Sequence, residues 1–461
     1  MSLNLFIAVA CVVAAILLTI ATVRFFFSAR QPQVQDAFKD QPAGAHASAG
    51  DTLRTRRSDN RESIVLLTRQ LVVSAILTLL VLLPALVRAL YPDMVPDWMV
   101  DPWVQAIIIT PVMFYGGAPI HIDGWGALLR RMPNMNSLAS IGTIAAYAYG
   151  ILVCLFESAL PQAMREPYFE VTGVIVTLVL FARWAVDMWL PRRPAFPLQE
   201  RVDRVSRVWV PITILIALWT FVCWLILGPQ PSFTRALLMG VSVLIIACPA
   251  ALGWAAPLSA GAALDDAQRY GLTVRTTSAL QQAKDTSAVL VSRELAPSAE
   301  QAIAQLSGTG VAVAKVDARR TDEAVRALAE RRADGATVMF IGDGSEDVRV
   351  RDAANIAVAC VALDNPEAAP IHADVIAAPT DYACALKLIR LSKATMHNIR
   401  ENLWWAFIFN LVGIPLAAGV LYPFTGWVLN PMLACVAMIL SSICVVLNAV
   451  RLRHCKLDGA W

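Results

Sequence analysis

Residues Leu244-Ile-Ile-Ala-Cys-Pro-Ala-Ala-Leu-Gly253 place a thiol, Cys248, and a helix breaker, Pro249, inside an apolar run that extends over 235–258. That run has the length of roughly 20 residues a helix needs to cross a bilayer. Proline removes a backbone donor, bends the helix and leaves a carbonyl without its helical partner. Two readings of Cys248 follow. It is a small buried hydrophobe, the usual fate of an isolated apolar cysteine, or a thiolate turned into a helix bundle to hold a soft ion.

Working outward, the chain of 461 residues is 57% hydrophobic and only 16% charged, against roughly 25% charged in soluble domains. This is the composition of an integral membrane protein. The formal net charge of +3 is too small to argue for a nucleic-acid partner. Nine cysteines are scattered without a CxxC pair, so neither a disulfide framework nor a zinc knuckle fits their spacing. Apolar runs of membrane length lie near 4–27, 68–90, 103–120, 137–156, 168–187, 208–227, 235–258, 403–421 and 431–450. The first lacks the basic start and the cleavage site of a signal peptide and reads as a retained anchor over 1–30.

Basic residues stay on the cytoplasmic side, and they orient these runs. Arg54, Arg56, Arg57 and Arg61, then Arg130 and Arg131, then Arg192, Arg193, Arg201 and Arg204 alternate with the acidic loops of Asp93, Asp97, Asp101, Glu157 and Glu166. Nine spans with the N-terminus outside and the C-terminus inside satisfy every loop, with 454–461 as a cytoplasmic tail. Residues 31–62 are polar and lack apolar periodicity, which predicts a flexible cytoplasmic linker. Residues 63–258 hold spans two to seven and 403–453 the last two. Between them, 259–402 alternates short apolar runs at 288–291, 311–313, 337–341, 356–359 and 374–377 with helical patterns at 321–332 and 382–400. Such alternation predicts a small parallel α/β sheet.

With these parts in order, the chain resembles the heavy-metal P-type ATPases, most closely their copper-transporting branch. The stretches that carry the resemblance are collinear from about residue 68 to 453. They are Gly116-Gly117, Pro133-Asn-Met135, Tyr168-Phe-Glu170, Ala247-Cys-Pro249 with Pro257, and Gly342-Asp-Gly344 with Asp347. Asn410 and Pro415 follow, then Met438-Ile-Leu-Ser-Ser442 and Asn448. The resemblance implies a polytopic α-helical membrane protein of about nine transmembrane helices with a small cytoplasmic α/β domain of the haloacid-dehalogenase type.

The departures from the family are as specific as the matches. The family's actuator domain is replaced by the short 188–207 stretch, and no more than about 50 residues stand where a nucleotide-binding domain belongs. The phosphorylated aspartate of the family falls at Ser292, after the Ala288-Val-Leu-Val291 run, and its phosphate-contacting lysine at Glu323. Phosphoryl transfer to protein needs a carboxylate nucleophile beside Mg²⁺ and a cation on the phosphate. Three parts of one chemical cycle are therefore missing, and ATP is not expected to bind.

The remaining site residues come from the resemblance, each beside a plainer reading. Cys248-Pro249-Ala250 stands where the family has two thiols; Cys248, Met438, Asn410 and Ser442 would form a soft-metal site for Cu⁺, or would be core packing and close helix contact. Phe409 stands where the family has a tyrosine. Glu170 and Asp203 match carboxylates on the release and access sides, or are interfacial residues at span ends; Asp187 stands beside Val186, where the family has another glutamate. Asp343 and Asp347 are a vestigial Mg²⁺ motif or a structural turn, with the turn favoured. Gly116, Gly117, Arg130 and Arg131 form a bent helix, which in the family is a platform for a metal donor and otherwise a lipid anchor. The function these features imply is a pseudo-ATPase, binding metal or a partner in copper handling: a copper chaperone, a full-length copper ATPase or an oxidase assembly factor. The alternatives are an ATP-driven translocase working by an atypical route and a purely structural membrane scaffold. The expected location is a bacterial inner membrane.

Overall fold

Asp101 and Pro102 show how locally this fold is encoded. The Asp101 carboxylate accepts from the backbone N–H of Trp103 (2.9 Å) and Val104 (3.2 Å), and proline follows at the first helical position, where its missing N–H costs nothing. The structure is a computed structural model describing residues 13–20, 49–91, 94–156, 165–189, 197–248, 252–293, 300–361, 373–379, 381, 383–429 and 431–453. At 49–63, 89–90, 189, 197–204 and 252–254 it describes the backbone alone. The chain divides into two units, the first built from 1–191, 201–254 and 405–443, the second from 192–200, 255–404 and 444–461.

The first unit is helical. Its helices are α1 (Ala49–Leu90), α2 (Pro102–Pro111), α3 (Ala118–Leu129), α4 (Met135–Leu155), α5 (Phe169–Trp189), α6 (Pro197–Leu227) and α7 (Ser232–Ile246). A single π turn, Val112–Gly116, joins α2 to α3. A capping box closes the start of α4, with Asn134 and Ser137 each accepting the other's backbone N–H. Five described helices are long and apolar enough to cross a membrane, and the α2–α3 pair, bent by 59°, makes up to six. The helices approach closely where a small residue allows it, as membrane helices do. At Gly150 a Cβ would stand 2.6 Å from the Phe169 ring, and Phe169 is wholly buried.

The bend expected at Gly116-Gly117 is present, and a π turn, Val112–Gly116, interrupts the hydrogen-bond ladder there. Two expectations need correction. The run at 235–258 is interrupted as well, since α7 stops at Ile246, Ala247 and Cys248 are no longer helical, and α8 is described over Leu252–Arg269. Residues 49–62, expected as linker, continue into the helix of α1; residues 31–48, and all of the first run except 13–20, lie outside the described residues.

The second unit contains a six-stranded sheet: β1 (Leu272–Val274), β2 (Thr286–Ser292), β3 (Ala312–Val316), β4 (Thr337–Gly342), β5 (Ile356–Cys360) and β6 (Val375–Ala377), in the order β1-β6-β5-β4-β2-β3. All pairings are parallel except β1 with β6. Alternate residues point to opposite faces, and each face has its own apolar core. Val289, Val291, Met339 and Ile341 lie on one side, and Ala288, Leu290, Val338 and Phe340 on the other. The short helices α9 (Thr277–Gln282), α10 (Glu300–Gly308), α11 (Thr321–Ala333) and α12 (Val348–Ala353) cover the sheet, and α13 (Cys384–Ala417), α14 (Tyr422–Thr425) and α15 (Pro431–Leu452) complete the chain.

Candidate functional site

The break after α7 is where the chemistry of the opening stretch is decided. Ala247 and Cys248 still donate backward, to the carbonyls of Val243 (3.0 Å) and Ile245 (3.1 Å), so the last turn tightens before the helix ends. The Ala247 carbonyl, past the end of the ladder, receives the Trp209 indole N–H at 3.5 Å. Cys248 is 2% exposed, and it shares one buried cluster with Met438 at 5% and Cys435 at 3%. A Cβ on Gly413 would overlap the Ile246 side chain, so α13 passes close to the end of α7. The structure thus brings Cys248 and Met438 into one apolar core. Pro249 and Ala250 lie outside the described residues.

The rest of the expected ligand set divides. Ser442 donates its hydroxyl to the carbonyl of Met438 on its own helix (2.9 Å), so it serves α15 before it serves any ion. Asn410 is 5% exposed and its amide nitrogen has no hydrogen-bond partner among the described residues. An amide in that state prefers an acceptor or, with the group turned over, offers its oxygen. Cys435 was overlooked in the sequence. It stands three residues before Met438 on α15, a spacing that places two soft donors on one helix face, and this signal was available. Among the described residues no three His, Cys, Asp or Glu side chains converge, so a metal here would be held by few, soft donors.

Glu170 occupies the first turn of α5 and is 6% exposed. A helix N-terminus favours a carboxylate, and Glu170 lies within electrostatic reach of Cys435. Beside it Tyr168 stacks on Tyr149 at 6.0 Å and takes a left-handed φ of 50°. Asp203 is on α6, but its side chain lies outside the described residues. The bend between α2 and α3 is held by specific partners. Gln70 donates to the Tyr115 carbonyl (3.1 Å) and the His121 ring bridges the Met113 carbonyl (3.1 Å) and the Ser140 hydroxyl (2.8 Å). Both carbonyls belong to the π turn. Gly116 packs against Ser74 and Gly117 against the Met113 carbonyl, with no room for a Cβ at either. Asp123 pairs with Arg183 of α5, while Ile122, Trp125 and Leu129 are exposed. Arg130 caps α3 and folds its guanidinium back on Gly126, and Arg130 and Arg131 are both exposed.

In the α/β unit Ser292 closes β2 and is 3% exposed. Strand β4 lies alongside, with Val291 opposite Ile341, so the Gly342 loop leaves the same edge of the sheet, where open α/β folds place ligands. That loop is filled by its own side chains. The Glu346 carboxylate accepts the N–H of Asp343 (2.7 Å) and of Gly344 (2.9 Å) and lies against Gly342, where a Cβ would strike it. Asp343 accepts from the Ser345 N–H (2.9 Å) and hydroxyl (2.6 Å). Asp347 caps α12 through the Arg349 N–H (2.8 Å). Arg351, 8% exposed, ties the loop from behind through the Gly344 carbonyl.

These bonds shape the acidity of the loop. Burial opposes the charge on Asp343, yet donation from Ser345 outweighs it and holds the carboxyl below its ordinary value. Burial pushes Glu346 up. The backbone bond from Arg349 lowers Asp347. Mg²⁺ is held by one or two carboxylates together with substrate phosphates. Here Asp343, Glu346 and Asp347 are each spent on the loop, and the carboxylate that would face them is Ser292. The residues present do not fit Mg²⁺. Next to α11, Arg320 pairs with Glu323 and Arg349 with Asp322, so the position expected for a phosphate-contacting lysine is acidic and pairs with a cation.

Membrane helices interrupted at Ala247 and Cys248, a glycine-bent pair and an α/β unit with a Gly-Asp-Gly loop are the parts of a P-type ATPase fold. The similarities to known proteins agree. A crystal structure of a zinc-transporting PIB-type ATPase in its E2.Pi state superposes with a TM-score of 0.59 at 13% identity, covering 84% of this chain and all of that one. A copper-exporting P-type ATPase of Legionella pneumophila is 22% identical over 628 aligned positions, 77% of this chain and 84% of the relative. Copper-transporting ATPase 1 of Rhizobium meliloti is 23% identical over 707 positions, 94% of this chain and 85% of the relative. That alignment exceeds the 461 residues of this chain by 246 positions, so at least that many stand opposite gaps. No protein-family model matches. The chain is thus similar to heavy-metal P-type ATPases over most of its length and shares their fold.

Proposed function

We propose that this chain is a copper-pump scaffold without phosphoryl-transfer chemistry, a pseudo-ATPase that binds metal or a partner protein in copper handling. One observation carries the reading. The carboxylate nucleophile of the family is replaced by the buried Ser292, and the loop beside it is closed by Glu346. A serine is a weak nucleophile without an adjacent base, and its phosphoester would be too stable for rapid turnover. The short 188–207 connection and the gap-rich alignment support a chain that dispenses with the actuator and nucleotide-binding domains. Cu⁺ would be held as cargo, or as a bound signal, by Cys248 and Met438, with Cys435 added to the set and Asn410 alongside. The charge pattern supports an inner-membrane protein with its N-terminus outside and its α/β unit and C-terminus in the cytoplasm. Partners of the right chemistry are a copper chaperone at the α3 surface, a complete copper pump or an oxidase assembly factor.

Incubation of the purified protein with radiolabelled ATP and Cu⁺, followed by acid quenching, tests the reading: no acyl-phosphate is expected, and its appearance would refute it. Ser292→Asp alone is expected to leave the protein unlabelled, because Asp343 and Glu346 stay committed to the loop. An ATP-driven translocase working by an atypical route remains a second reading because a copper-transporting ATPase aligns over 94% of the chain; copper-dependent ATP hydrolysis in vesicles would establish it. Cu⁺ stoichiometry separates both from a bare scaffold. Loss of a bound equivalent in Cys248→Ala and Met438→Ala is expected, and no dependence on either would leave only the scaffold.

A further inference from the structure

A cation inside the membrane unit stands without a counter-charge among the described residues. Arg235 lies in the first turn of α7, between Thr234 and the wholly buried Ala236. Its Nε is enclosed and has no hydrogen-bond partner, and no ion pair among the described residues includes its guanidinium. The residue as a whole is half-buried, so the Nη end of the guanidinium is the part left open. Arg88, in the last turn of α1, shows the alternative, meeting Asp97 at 3.2 Å. The first turn of α7 contains no acid, and its N-cap, Pro231, supplies no capping side chain. The helix end therefore adds its own positive potential to that of the guanidinium, and a charge in an apolar segment is costly without an ion of opposite sign. The surface around it is apolar and aromatic. Phe233, 54% exposed, packs edge-on against Phe221 (6.1 Å), and Leu227, at the end of α6, is 82% exposed. Ala236 clusters with Trp224 and with Tyr422 and Val428 of the α13–α15 connection, which also presents Phe424 and Trp427. Exposed rings of this kind mark the headgroup level of a bilayer.

We propose that Arg235 is a binding site for the phosphate of a glycerophospholipid, at the place where α6 turns into α7. A phosphodiester carries one negative charge and two free oxygens, which match the edge of a guanidinium as a bidentate pair. Gln230 is exposed at the same turn, and its Oε1 accepts the Ser232 N–H at 3.5 Å, which leaves its amide N–H groups as further donors. The acyl chains would lie along Leu227 and Phe233, with the phosphate at the depth of the aromatic rings. A carboxylate on a partner protein offers the same charge, but the large exposed side chains beside Arg235 are apolar, as contact with a lipid requires. The association is an ion pair with hydrogen bonds, and no covalent bond changes. It uses none of Cys248, Cys435 or Met438 and does not depend on the pseudo-ATPase reading.

The test is native mass spectrometry of the full-length chain, delipidated in detergent and titrated with dioleoyl phosphatidylglycerol or with dioleoylglycerol, which lacks the phosphate. The wild type is expected to retain a phospholipid that dioleoylglycerol does not replace. Arg235→Gln is expected to weaken that adduct by about tenfold, the worth of one charge-assisted hydrogen bond. Arg235→Lys keeps the charge and loses the fork, so an intermediate affinity is expected, and Arg88→Gln, at the paired arginine, is expected to change nothing. Equal retention by the wild type and Arg235→Gln overturns the proposal, as does equal binding of dioleoylglycerol. Displacement of the lipid by millimolar inorganic phosphate would assign the guanidinium to a free anion. An oligomer lost in Arg235→Gln without a change in lipid retention would assign it to a protein carboxylate, and either result overturns the lipid site. Should Arg235→Gln not fold, the comparison of phosphatidylglycerol with dioleoylglycerol on the wild type still decides.

Discussion

Replacing Asn402 by leucine tests whether a buried polar network holds the α/β unit's long helices in one arrangement. Asn402 of α13 donates to the Ser259 hydroxyl of α8 (2.9 Å) and to the Asn398 side chain (3.3 Å), and accepts from the Asn448 amide of α15 (2.9 Å). Ser259 in turn donates to Asn398 (2.8 Å), whose own amide reaches the Asn448 carbonyl (2.7 Å). Ser259, Asn398 and Asn402 are 0–3% exposed. Leucine keeps the γ-branched shape of asparagine and is larger, so no cavity is left and the effect is lost hydrogen bonds with some added crowding. Three neutral bonds at about 1 kcal/mol each, with about 1–3 kcal/mol for leaving the Asn448 amide without an acceptor, give about 4–6 kcal/mol; membrane-like surroundings favour the lower end. The control is Arg451→Ala, which removes an ion pair with Glu401 at 2.6 Å whose side chains are 66% and 31% exposed; such pairs contribute about 0–1 kcal/mol. Both variants would be titrated with SDS and followed by tryptophan fluorescence, for which Trp404 and Trp405 are adjacent reporters. Asn402→Leu should shift the midpoint well beyond the control. Equal shifts would refute the claim that this network, and not the surface charges, fixes the helices.

Other outcomes follow from single contacts. Gly116→Val places a branched side chain against Ser74 at the π turn, and overpacking of this kind costs about 1–3 kcal/mol; a lower yield of monodisperse protein on size-exclusion chromatography is expected, with Leu129→Val as a harmless control. Gly342→Ala drives the Glu346 carboxylate off the N–H groups of Asp343 and Gly344, and hydrogen exchange in β4 and the following loop should accelerate. Ser345→Ala removes the 2.6 Å hydroxyl bond to Asp343. Because the folded Asp343 carboxyl lies below its ordinary value, its stabilising effect is complete above the unfolded pKa of about 3.9 and is lost as pH falls through the folded value. The substitution raises that folded value, so acid-induced loosening of the loop, read by hydrogen exchange against pH, should begin at higher pH than in the wild type.

Much of the fold was legible because it is written in local pattern. Five of the strands coincide with apolar runs bounded by polar turns, and described helices such as Met135–Leu155 and Phe169–Trp189 with uninterrupted runs of membrane length, because a strand buried on both faces or a helix inside a bilayer is apolar along its length. The sixth strand, β1, is three residues long and joins the sheet edge antiparallel; so short a segment has no pattern of its own and exists through its partner. The helix at 49–62 was equally hidden, being polar all round.

What the sequence alone determined was chemistry that depends on residue identity: a thiol beside a helix-breaking proline at Cys248, paired glycines at 116–117, and Ser292 in place of an aspartate. Those facts hold in any conformation. What only the tertiary structure decided was which groups are already engaged and which stand together. Ser442 turned back on its own helix, Glu346 occupied the donors of the Asp343 loop, and Cys435 joined Cys248 and Met438 in one core. Cys435 illustrates the reason most simply. It joins Cys248 only when α15 packs beside the end of α7, because side-chain contact across a fold is set by the packing of elements distant in sequence.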